Sequence, residues 1–139
     1  MKKIELKPNE AQGILEDLKK ILKVKGHKLS FSVNLIIAAI VKEFEINQKA
    51  FAESRNEYFI QDESGQPKLF NDEEGNQIHK LQEEKIEDFQ KLTQEYLETP
   101  FEVTIRPIPI DKFNEELDHE RFADVELVSL FINYELITE

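Results

Sequence analysis

Cysteine and tryptophan are absent from these 139 residues, while arginine and histidine each occur three times and glycine four times. Without cysteine, disulfides and thiolate metal sites are excluded. The histidines, His27, His79 and His119, never stand three or four residues apart, the spacing that sets two imidazoles on one helix face. Gly13, Gly26, Gly65 and Gly75 are too scattered to form a phosphate-cradling loop. Ser54, Ser64 and Ser129 lack the glycine-flanked elbow of a nucleophile. Arg55, Arg106 and Arg121 are far apart, and a net charge of −11 opposes general nucleic-acid binding, which needs dense cations against phosphate. The best apolar run, Leu35 to Val41, is too short to span a bilayer, and Met1-Lys2-Lys3-Ile4-Glu5 lacks the apolar core of a signal peptide. A soluble, intracellular protein without cofactor or metal is expected.

Phenylalanine is plentiful, with ten residues, and each brings large area to bury without a polar atom to satisfy. Ile37, Phe44, Phe51 and Tyr58 recur in steps of seven, two helical turns, and therefore line one edge of a long helix. That helix is expected from about residue 32 to 60, roughly 43 Å at 1.5 Å per residue. Ser30 and Ser32 offer side-chain oxygens for its start. Apolar positions 78, 81, 86, 89, 92, 96 and 97 predict a second helix over 77–98, with Glu87 and Lys91 an acid–base pair on its surface. Between them lie Asp62-Glu63-Ser64-Gly65, the strand candidate Lys68-Leu69-Phe70 and the turn Asp72 to Asn76. A minimal β-hairpin at the tip of a helical hairpin follows.

The flanks read more simply. Lys3-Ile4-Glu5-Leu6 alternates as a short strand, Pro8 and Asn9 open a helix over about 9–23, and Gly26 is placed to end that unit. Phe101 to Arg106 alternates as a half-buried strand, stopped by Pro107 and Pro109, which pairs with residues 3–6 or is completed by another chain. Asp124 to Ile137 fits either period, and helix is preferred. The expected fold is mostly α (α+β): a long antiparallel helical hairpin with a small β-hairpin at its tip, an N-terminal helix, short strands and a C-terminal helix. One domain is expected, divided into residues 1–27, 28–99 and 100–139, with no internal repeat or flexible linker.

Charge is unevenly spread: residues 1–28 hold eight lysines against four acids, a net of +4, which leaves −15 on the rest. Asp62-Glu63 and Asp72-Glu73-Glu74 lack the alternating ligands and distal acid of a calcium loop. A thin helical hairpin offers little concavity for an active site, so no catalytic residue is assigned and an enzyme is not expected. The remaining candidates are aromatics and aliphatics near the tip, Tyr58, Phe59, Leu69 and Phe70, a cluster rimmed by acids with little core to cover it. They are the expected partner-binding residues.

The order of parts from Lys28 to Glu139 resembles a group of small uncharacterised proteins of tailed bacteriophages and prophages. Four stretches carry the likeness: Glu57-Tyr58-Phe59 running into Asp62-Glu63-Ser64-Gly65, then Glu84 to Glu98, then Thr99-Pro100-Phe101-Glu102-Val103, then the tail Asp124 to Leu136. It rests on pattern and transfers no site residues. Residues 1–27 and the insert Pro67 to Asn76 depart from it. The resemblance implies a phage-encoded, non-enzymatic binding protein in the cytoplasm of an infected bacterium, a virion component or assembly factor whose partner is a phage structural protein or a host protein. Two other readings stay open: an acidic inhibitor of host defence mimicking nucleic acid through acids at 83, 84, 87, 88, 95 and 98, and an assembly chaperone. No direct nucleic acid or membrane partner is expected, and a homo-oligomer fits the exposed stripes.

Overall fold

Residues 1–23, 29–112 and 136–138 are described by a computed structural model of the chain. In chain order its elements are β1 (Lys2–Leu6), α1 (Pro8–Leu22), α2 (Ser30–Arg55), β2 (Phe70–Asn71), β3 (Gln77–Ile78), α3 (Ile86–Glu98), β4 (Phe101–Ile105), β5 (Ile108–Pro109) and β6 (Ile137–Thr138). The fold is mostly α with small strand pairs. It divides into two compact units, residues 1–45 with 100–139 and residues 46–99, and the division falls inside α2.

The first unit holds the core. Strand β1 pairs antiparallel with β4, Lys2 opposite Ile105 and Leu6 opposite Phe101, so the two alternating patterns turn one face inward together. Ile4, Leu6, Phe101, Val103 and Ile105 are buried, while Lys3 and Glu102 meet on the outer face at 3.3 Å. Helix α1 begins with Pro8, whose missing N–H costs nothing at that position, and the Lys7 amide donates to the Glu10 carboxylate at 3.1 Å. Its apolar stripe, Ala11, Ile14, Leu15, Leu18 and Ile21, is buried against Leu29, Val33, Ile36 and Ile40 from α2 and its N-terminal flank. A parallel pair, β5 with β6, brings Ile108 and Leu136 into the same core, the Ile108 amide donating to the Leu136 carbonyl at 2.7 Å.

Three boundaries differ from expectation. Helix α2 starts at Ser30, so Ser32 lies within its first turn instead of capping it, and its hydroxyl accepts from Lys112 Nζ at 3.4 Å. The helix also ends at Arg55, followed by a 3₁₀ turn over Asn56–Tyr58. Helix α3 starts at Ile86, nine residues later than expected, because Gln77–Ile78 pair with Phe70–Asn71 and Leu81 bridges Phe59. Leu136 to Thr138, where the expected C-terminal helix would end, is extended, since Ile137 pairs with Ile108. Gly26, His27, His119, Arg121 and residues 124–135 lie outside the described residues.

Phe44 departs from the expected packing on the second helix. Its ring lies 6.4 Å from that of Phe101 and joins Ile37 at the edge of the core, since β4 begins directly after α3 and delivers Phe101 there.

Candidate functional site at the hairpin tip

Residues 46–99 form the second unit, and none of them is fully buried. What order it has comes from an aromatic ladder and a backbone junction. The Phe51 ring stacks on Tyr96 with centroids 4.3 Å apart and planes 11° apart, and Tyr58 meets Phe89 edge-on at 6.1 Å. Seven residues forward along one segment match seven back along the other, the register of an antiparallel helical hairpin. Phe59 completes the ladder at 5.8 Å from Phe89 and 5.4 Å from His79. Arg55 spans the ladder's edge, its guanidinium 5.6 Å from the Phe51 ring and 5.9 Å from Phe59. Partial burial pushes the Tyr96 hydroxyl above its ordinary pKa of 10.0.

The chain leaves α2 at Arg55 through the 3₁₀ turn Asn56–Tyr58, and carbonyls of that turn and of Phe59 await partners. Gln82 and Lys85 satisfy them from the other side of the hairpin. Gln82 Nε2 donates to the carbonyls of Phe59 at 2.8 Å and Glu57 at 3.2 Å, and Lys85 Nζ donates to Glu57 at 3.0 Å.

Beyond this clasp lies a junction of three extended segments. Phe70 opposite Ile78 sets a register in which Lys68 would face Lys80. The Ile60 peptide enters between them: its amide donates to the Lys80 carbonyl and its own carbonyl accepts from the Lys68 amide, both at 2.8 Å. His79 Nδ1 lies 3.2 Å from the Lys68 carbonyl, which only accepts, so Nδ1 carries the proton in that contact.

Two turns of one design close the segments. Asp62-Glu63-Ser64-Gly65-Gln66 and Asp72-Glu73-Glu74-Gly75-Asn76 match step for step. In each, the aspartate amide donates to the carbonyl four residues on, and the glycine amide donates back to the aspartate carbonyl at 3.1 Å. In each, aspartate Oδ1 accepts from the amides two and four residues later. Both glycines sit at φ +83°, a conformation that penalises any side chain. The acidic clusters therefore begin with aspartates engaged as turn staples.

Asp62 carries an additional acceptor role, taking a 2.6 Å hydrogen bond from the Ser64 hydroxyl. That bond, followed by the Gln66 amide, holds its carboxyl below the ordinary 3.8, with burial opposing weakly. A depressed folded pKa contributes turn stability that is present above the ordinary value and is lost as pH falls through the lowered one. In amide NMR spectra recorded from about pH 6 to about pH 2, Ser64 and Gln66 are expected to titrate with a midpoint below 3.8. A midpoint at or above that value would show the carboxylate free of the turn.

The four expected partner-binding residues divide. Tyr58 and Phe59 are half-buried in the ladder, whereas Leu69 is 54% exposed and Phe70 is half-buried on the sheet surface. Two cations lean on the Phe70 ring, Lys68 Nζ at 5.3 Å and Lys80 Nζ at 4.8 Å. Lys68, Lys80, Gln82 and Ile78 were not among the partner-binding residues expected from the sequence. Among the described residues no group of histidines and acids is placed to hold a metal ion, and no helix is long and apolar enough to cross a membrane.

Compared with protein-family models, curated proteins and solved structures, the chain matches none of them.

Proposed function

We propose that this chain is a non-enzymatic protein-binding module of a tailed bacteriophage, a component or assembly factor of the virion, which engages its partner through the hairpin tip. One observation carries the reading: residues 46–99 hold six of the chain's thirteen aromatic side chains and bury none of them fully. Ile46, Leu69, Ile78 and Ile86 are exposed there, and apolar surface rimmed by charge is the composition of a contact patch. The phage setting comes from the sequence resemblance.

A nucleic-acid mimic ranks second, because it asks for an unbroken row of carboxylates. On α3, Lys91 stands between Glu87 and Glu95 and pairs with Glu87 at 3.7 Å, which interrupts the row.

The test is recovery from infected cells. Tagged wild-type protein is expected to bring down particle proteins, and a Leu69→Ala, Phe70→Ala variant at least about tenfold less, since about 1.4 kcal/mol suffices for that change. Equal recovery by both proteins removes the tip as the contact. Capture of a basic host nuclease that is released by salt would favour the mimic instead.

A further inference from the structure

The hairpin formed by β2 and β3 has a polar order along its length. By two-residue alternation Lys68, Phe70, Ile78 and Lys80 share one face. The two lysines stem from one end of that face and reach toward the Phe70 ring with their ammonium groups, and in the middle lie Phe70 and Ile78, the latter 37% exposed. At the other end is the turn bearing exposed Glu73 and Glu74. The surface thus runs positive, apolar, negative.

Neither lysine has a carboxylate partner among the described residues, although acids crowd the adjoining turns; both ammonium groups rest on the Phe70 ring instead. Residues 46–99 as a whole carry thirteen acids against six bases. A polyanion would be repelled by that body, which rules against a nucleic-acid occupant. A second copy carries the same excess of acids, so only a contact that sets its glutamates directly over these lysines offsets that repulsion. Turned by a two-fold axis through Phe70 and Ile78, it sets its glutamates over the first copy's lysines and receives the reverse. That is the self-complementarity an isologous interface needs.

We propose that the β2–β3 face is a homodimer contact, in which Phe70 and Ile78 meet their counterparts and Lys68 and Lys80 pair with Glu73 and Glu74 of the second copy. The inference stands on the tip geometry and does not depend on the phage reading. A face this small buries far less than the roughly 1,000 Å² of a stable interface, so the dimer is weak and dissociates on dilution. A partner with more to bury displaces it.

The experiment is a charge exchange on the full chain, followed by sedimentation over a range of concentrations and by amide NMR of the tip. Wild-type protein is expected to associate reversibly, with shifts concentrated at residues 68–80. K68E/K80E and E73K/E74K should each lose at least about tenfold in self-association. A mixture of the two should regain it, because both contacts are then attractive. All four positions are exposed, and unchanged far-ultraviolet circular dichroism checks that each variant remains folded. A chain that stays monomeric at millimolar concentration overturns the proposal. So does association that neither variant weakens, or a mixture that fails to recover it.

Discussion

Replacing Ile36 with alanine is expected to cost about 2–5 kcal/mol, measured by urea unfolding followed by circular dichroism. Ile36 is wholly inaccessible in the core between α1, α2 and the β1–β4 sheet. Truncation loses the transfer energy of the removed carbons and leaves a cavity that close-packed neighbours fill only in part. A domain of this size has a total stability of about 5–15 kcal/mol, so one side chain accounts for a substantial share. The control is Ile46 on the same helix, which is 54% exposed and lies in the other unit. Its replacement by alanine should stay within about 0.5 kcal/mol. Equal costs at the two positions would mean that α2 does not pass from full burial at Ile36 to exposure at Ile46. The contrast therefore tests the observation on which the contact surface depends.

Much of the first unit was legible in the sequence. Alternation over Lys3 to Leu6 and Phe101 to Ile105 marked two strands, and their pairing follows because each has one apolar face and too few residues to stand alone. The stripe through Ile14, Leu15, Leu18 and Ile21 marked α1 by the same logic, one face against one core. The seven-residue ladder was harder to place. Spacing put Ile37, Phe44, Phe51 and Tyr58 on one edge, yet the neighbour changes midway: the first two meet the core and Phe101, the last two meet Tyr96 and Phe89.

The tip was the least legible part, for identifiable reasons. Ile78 and Leu81 are spaced as on a helix, and tertiary pairing with Phe70 and Phe59 overrode that local signal. Both turns were legible from their Asp and Gly residues, whereas their shared hydrogen-bond pattern depends on backbone geometry that composition does not give. What Lys68 and Lys80 do depends on the register of a hairpin, since the twelve-residue separation by itself implies nothing. The candidate residues shared this fate. Tyr58 and Phe59 went into the ladder, and Leu69 and Phe70 kept surface to offer.

Phe89 is the residue through which ladder and tip depend on each other, and Phe89→Ala is expected to loosen both. Its ring contacts Tyr58 and Phe59, the residues on either side of the point where helix gives way to extended chain. Truncating a fully buried phenylalanine costs about 3–5 kcal/mol, and Phe89 is half-buried, so about 2 kcal/mol is the reasonable scale. The rest of residues 46–99 has no fully buried side chain to absorb that loss. Amide hydrogen exchange gives the direct readout, because local opening reports local stability. The amides of Ile60, Lys68 and Gln82, which hold the junction together, should exchange about thirtyfold faster in the variant, the equivalent of about 2 kcal/mol. The amide of Val33, bonded to the Leu29 carbonyl in the other unit, should lose much less protection. If Val33 and Ile60 lose protection equally, the chain opens as one cooperative body. The exposed stripe would then be part of a single fold's surface rather than of a loosely held element completed by contact with another chain.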